Sequence, residues 1–117
     1  MSYFQEANKL YNSKNYINAL ELYKKAIKQK DNEASSFYNS GVCFIKLKDY
    51  NNAIECLEKA INIKKESKYY FNLGYCYAAN GNFKKALICF NSSWTLNPKD
   101  DDCSKAIEII LNTYKAK

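Results

Sequence analysis

Small residues recur in this chain at a fixed interval, and that recurrence restricts the fold more than any other feature. Ala19, Ala53 and Ala86 stand 34 and then 33 residues apart, and Ala26, Ala60 and Ser93 keep the same spacing, as do Ala7, Gly41 and Gly74. Between them lie phases held by large residues: Leu10, Phe44 and Tyr77; Tyr16, Tyr50 and Phe83; Tyr23, Leu57 and Phe90. Such a period is one supersecondary unit repeated, each copy burying its apolar face against the next.

Within each unit the apolar residues recur at intervals of three and four, which predicts two amphipathic helices per unit. The polar breaks Ser13-Lys14-Asn15, Lys48-Asp49 and Asn80-Gly81-Asn82 are short enough to join antiparallel neighbours. Ser2 precedes Gln5 by three residues and predicts a capping box at the first helix. Pro98 follows the third pair, where it cannot continue a helix. With only three Gly and one Pro in 117 residues, there is little punctuation for an all-β fold with many tight turns. The small phases predict close helix crossings, with flanking aromatics filling the grooves. Leu at Ala53 is expected to force the axes apart, at a cost of about 1–3 kcal/mol. Asp100-Asp101-Asp102 then opens a last helix whose acidic start complements the helix dipole. Its stripe of Ala106, Ile107, Ile110, Leu111 and Tyr114 is expected to cover the outer face of the third hairpin.

The spacing Gly-x-x-Phe/Tyr, then aromatic-x-x-Ala-x-x-x-aromatic-x-x-Ala, resembles the tetratricopeptide repeat over residues 3–100. The second unit is one residue short near 62–67, and Glu6 and Ser40 occupy a phase that usually carries leucine, held here only by Leu73. The resemblance implies an all-α fold: an α-solenoid, a right-handed superhelix of three antiparallel helix hairpins plus one capping helix. Residues 1–117 then form a single domain, with repeats at about 1–33, 34–66 and 67–100 and the cap at about 101–116.

Composition removes several functions. All 18 basic residues are lysine, the formal charge is +6, and histidine is absent. Histidine acid–base chemistry and histidine–metal ligation are therefore excluded, as is bidentate arginine recognition of phosphate or guanine. No Gly-rich phosphate loop or nucleophile–base pair is visible, so the expectation is no catalytic residue, no metal and no cofactor. Cys43, Cys56, Cys76, Cys89 and Cys103 form no CxxC pair and are an odd set. In a chain with no signal peptide they predict reduced thiols and a cytoplasmic protein. Their matching phases in successive repeats mark small buried packing residues. No apolar run approaches the roughly 20 residues that span a bilayer. Trp94 falls on a packing phase and is expected in the core.

In the family's register, the first helix of each hairpin lines a concave groove. That carries over to Phe4, Gln5, Asn8, Tyr11 and Asn12 in the first unit. Ser35, Tyr38, Asn39, Val42, Ile45 and Lys46 follow in the second, and Lys68, Phe71, Asn72, Tyr75 and Ala79 in the third. Phe4, Tyr38 and Phe71 serve equally well to stiffen these helices. The asparagines carry both donor and acceptor and suit the backbone of an extended peptide. Some co-chaperones of the family hold a chaperone's C-terminal carboxylate with two asparagines and three basic residues. Asn8, Asn39 and Lys68 match that clamp, whereas Phe4 and Asn72 stand where lysine and arginine are expected. The resemblance implies a scaffold binding a peptide segment of a partner protein, in a co-chaperone or assembly factor. The alternatives are a helical-repeat RNA-binding module and a self-associating structural repeat. Replacing Asn39 with Ala is expected to weaken peptide binding while leaving folding nearly untouched.

Overall fold

The computed structural model describes residues 1–115 and, among them, holds seven helices and no strand. They are α1 (Tyr3–Asn12), α2 (Tyr16–Lys28), α3 (Glu33–Lys46), α4 (Tyr50–Ile63), α5 (Ser67–Ala79), α6 (Phe83–Leu96) and α7 (Asp101–Lys115). They fall into two compact units, Met1–Lys64 and Lys65–Lys117. No described helix is long and apolar enough to cross a membrane.

The first unit contains α1 to α4. The predicted capping box is present: Ser2 Oγ accepts from the Gln5 amide, and Gln5 Oε1 accepts from the Ser2 amide, both at 3.1 Å. This satisfies two backbone donors that the start of a helix otherwise leaves unpaired. The hairpin turns fall where the polar breaks predict them. Each places one residue in the left-handed region, Lys14 (φ 64°) and Lys48 (φ 61°) here and Gly81 (φ 80°) in the second unit. The amide after that residue reaches back across the helix end, Asn15 to the Leu10 carbonyl and Asp49 to that of Phe44, each at 2.8 Å. These bonds close the helix as a Schellman-type cap does.

Packing follows the small phases. Ala7, Ala19, Tyr23 and Cys43 form one fully buried cluster, flanked by Phe4, Leu10 and Tyr11. Gly41 lies so close to α4 that an added Cβ would sit 2.8 Å from Leu57 Cγ. Ala53, Leu57 and Ala60 are likewise fully buried.

The second unit contains α5 to α7. Asn82 Oδ1 caps α6 by accepting from the Lys85 amide at 3.2 Å, and the Asn82 amide donates to the Tyr77 carbonyl at 2.8 Å. Ala86, Phe90 and Ile110 are buried together, with Ala106 and Ile107 packed against them. Helix α7 thus covers the third hairpin as expected, through residues three and four apart. Two expectations fail here. Leu111 is 43% exposed, because it lies one step beyond the stripe that Cys103, Ala106, Ile107 and Ile110 form. Trp94 is also 43% exposed; it borders a shallow hollow with Ser104 and Ile107 instead of entering the core. The Tyr114 side chain lies outside the described residues.

The connector between α4 and α5 has three residues where that between α2 and α3 has four, which locates the residue missing from the second repeat. Ser93, one of the small phase, does more than fill space. Its hydroxyl donates to the Ser67 carbonyl at 2.8 Å and meets Cys103 Sγ at 3.0 Å, tying α5, α6 and α7 through one buried atom.

Candidate functional site

The residues expected to contact a ligand lie on α1 and α3 in the first unit and on α5 in the second. In the first unit, one hydrogen-bond network organises the surface. Tyr23 is fully buried from α2, and its hydroxyl donates to Asn8 Oδ1 on α1 at 2.5 Å. Asn39 Nδ2 on α3 donates to the same oxygen at 3.2 Å. Both lone pairs of the Asn8 carbonyl are thereby used, which fixes the amide's orientation and leaves its Nδ2 hydrogens as the outward function. Three helices meet at this one oxygen.

Burial pushes the Tyr23 hydroxyl pKa up, and the neighbouring Cys43 thiol raises it further. Tyr23 is therefore a neutral donor at any physiological pH. The Tyr11 hydroxyl is raised by the same two causes and by Tyr16, whose ring it meets edge-on at 5.8 Å.

Asn39 therefore cannot be removed at no structural cost, as its sequence phase suggests. It holds Asn8 in place and shares the polar cluster around a buried tyrosine. Phe4 packs its ring 6.2 Å from that of Tyr23, which favours the stiffening role over a ligand contact. Gln5 is engaged in the α1 cap. Val42 is buried, at 8% exposure, and Tyr38 is half-buried.

In the second unit, Lys68 is exposed, 4.0 Å from Glu66 and over the Tyr69 ring at 6.0 Å. Asn72 turns its Nδ2 back onto the Lys68 carbonyl at 2.9 Å, one helical turn away on its own helix. Phe71 lies 5.3 Å from Phe90, so it too is a packing residue. Tyr75 is 46% exposed and offers a ring to solvent. Of the ten expected contact residues, all but Val42 retain accessible surface, and Phe4 and Phe71 also pack against Tyr23 and Phe90.

Tyr23 is the member of this hydrogen-bond network that sequence reasoning missed. Its phase holds Leu57 and Phe90 in the other units, so it reads as one more large core residue. The lone hydroxyl in that series is the signal that could have found it.

The cysteines behave as packing residues. Cys43, Cys76 and Cys103 are fully buried and Cys89 nearly so. Burial pushes the Cys43 and Cys76 thiols up to about 12 and the half-buried Cys56 up to about 11. Cys43, Cys56 and Cys76 are therefore not thiolates at neutral pH, the form needed for nucleophilic or metal chemistry. Among the described residues no group of three metal-ligating side chains converges.

Comparison with known proteins agrees with this architecture. Tetratricopeptide repeat family models match residues 34–66 and 67–100. A TPR repeat-containing protein of Methanocaldococcus jannaschii is 27% identical over 116 residues, covering 92% of this chain and 20% of its own length. The chain thus spans only a fifth of that relative. Among solved structures, the first TPR of Spaghetti (RPAP3), bound to the HSP90 peptide SRMEEVD, superimposes with a TM-score of 0.92. It covers 97% of this chain and 90% of its own at 17% identity. The Yersinia enterocolitica secretion chaperone SycD, in complex with a YopD peptide, gives a TM-score of 0.90 at 18% identity, covering 96% and 92%. The repeated small and aromatic phases, the helix hairpins they build and these matches have one explanation: the chain belongs to the tetratricopeptide repeat family.

Proposed function

We propose that this chain is a non-catalytic interaction module that binds an extended peptide segment of a partner protein. The first-helix face of the Met1–Lys64 unit, formed by α1 and α3, carries the contact. The observation that carries this reading is the Asn8 amide. Tyr23 and Asn39 occupy its oxygen, so its N–H groups are preorganised donors for a backbone carbonyl or carboxylate. Tyr11 and Tyr38 add rigid amphipathic surface on the same unit.

Two of the similar structures hold peptides of other proteins, which supports the same mode here. With Asn8 and Asn39 at two of the clamp positions, the partner segment we favour ends in a free carboxylate, as a chaperone tail does. That makes the chain a co-chaperone-type or assembly-factor domain. Its five free cysteines suit a reducing, cytoplasmic compartment.

The test is a calorimetric titration with a peptide ending Glu-Glu-Val-Asp, as free acid and as C-terminal amide. Micromolar binding of the acid, about −8 kcal/mol, with much weaker binding of the amide, is expected. Equal binding of both forms, or of neither, overturns the carboxylate reading. Acid binding that survives Asn8→Ala undiminished, in protein shown by circular dichroism to be folded, overturns the assignment to this surface.

A further inference from the structure

Ser40 stands at the phase where the third repeat carries Leu73. It is buried, at 4% exposure, yet its side chain is two heavy atoms smaller than the leucine at the equivalent phase. A cavity of about 400 Å³ lies beside it, wholly within the Met1–Lys64 unit. Its walls are apolar: Leu20 and Ile27 from α2, Phe37 and Phe44 from α3, and Cys56 from α4. At 100° per residue, Phe37, Ser40 and Phe44 lie on the side of α3 roughly opposite Tyr38, Asn39 and Val42. This is a second site, separate from the proposed peptide surface.

The mouth is cationic. Lys24 and Lys59 both line it, and Glu21 is the acidic residue there. Lys59 Nζ sits 5.7 Å from the Phe37 ring centroid, at the edge of the aromatic wall. Its exposed partner is Glu55, at 3.6 Å, a surface pairing that a ligand anion can displace at little cost. Lys24 also borders an adjoining hollow with Lys25 and Lys28, so positive charge outweighs negative around the opening.

We propose that this cavity binds a small amphipathic carboxylate: a straight alkyl chain inside, with its carboxylate at Lys24 and Lys59. An apolar interior with a few convergent polar groups is the usual composition of a small-ligand site, and about 400 Å³ falls at the small end of the roughly 300–1,000 Å³ such sites span. At roughly 30 Å³ per water-sized group, that space holds about a dozen non-hydrogen atoms, the size of an eight- to ten-carbon fatty acid.

The test is an NMR titration of the 117-residue chain with octanoate, octanamide and acetate, following the Leu20 and Ile27 methyl signals. Octanoate should shift them saturably, octanamide should bind about two- to fivefold more weakly, and acetate should leave them unmoved. Ser40→Leu, which fills the space with the third repeat's own residue, should abolish both saturable responses. Lys24→Gln with Lys59→Gln should bring octanoate down to the affinity of octanamide. Non-saturating shifts spread over the chain, or octanoate binding that persists in folded Ser40→Leu protein, overturn the site. Should Ser40→Leu not fold, the lysine variant decides: an unchanged preference for octanoate over octanamide overturns the proposal.

Discussion

Removing Asn8 and removing the Tyr23 hydroxyl should have unequal consequences, and the inequality tests whether the amide network is structural. In Asn8→Ala the buried Tyr23 hydroxyl loses the acceptor it donates to. Leaving such a donor in a fully buried ring without its partner costs about 1–3 kcal/mol. In Tyr23→Phe, Asn8 Oδ1 still accepts from Asn39, so the loss is closer to the net worth of one hydrogen bond, about 0.5–1.5 kcal/mol. In Tyr23→Phe protein the further change Asn8→Ala orphans no hydroxyl, and its cost should fall below about 1 kcal/mol. The coupling between the two sites is then about 1 kcal/mol, above the roughly 0.3–0.5 kcal/mol within which independent sites add. Urea unfolding of the four proteins, followed by circular dichroism and extrapolated linearly to water, measures all these terms. If Asn8→Ala costs the same in both backgrounds, the hydroxyl does not depend on Asn8, and the preorganisation argument for the peptide surface falls with it.

Other perturbations read other parts of the fold. Gly74→Ala gains about 1 kcal/mol of helix propensity. Its new Cβ, however, would meet the Phe90 ring at 2.9 Å, and Phe90 is itself held against Phe71. With overpacking at about 1–3 kcal/mol, net destabilisation is expected in urea melts, and a stabilised variant would contradict the close crossing. Ser93→Ala removes the donor to Ser67 and the contact to Cys103. It should cost about 1 kcal/mol and speed amide hydrogen exchange in α7 more than in α1. The buried thiols predict a pH effect. Cys43 and Cys76 hold their protons up to about 12 in the folded chain, whereas unfolded cysteine ionises near 8.5. The unfolded state therefore binds fewer protons above that point, and stability should fall from about pH 9 towards 12. Cys43→Ala should flatten the fall, and an unchanged slope would assign it to other groups.

The repeat, its helices and its hairpin turns were legible in the residues alone. The reason is that they rest on local physics: apolar spacing matches a 3.6-residue turn, and short polar breaks interrupt it. Even the capping box at Ser2 and Gln5 joins residues three apart. The small phases were equally readable, since a helix crossing demands the same small residue at the same place in every unit. What the tertiary structure alone decided involves atoms brought together from distant parts of the chain. Asn8 meets a tyrosine 15 residues away and an asparagine 31 away, which converts two presumed ligand contacts into a structural network with one outward face. Trp94 and Leu111 lie outside the core because α7 covers only part of the surface that their phases offered. The space beside Ser40 arises from a missing side chain whose surroundings come from three helices. Periodicity assigns a residue to a face; which partners fill that face, and which polar atoms they consume, depends on packing between segments that the local pattern does not encode.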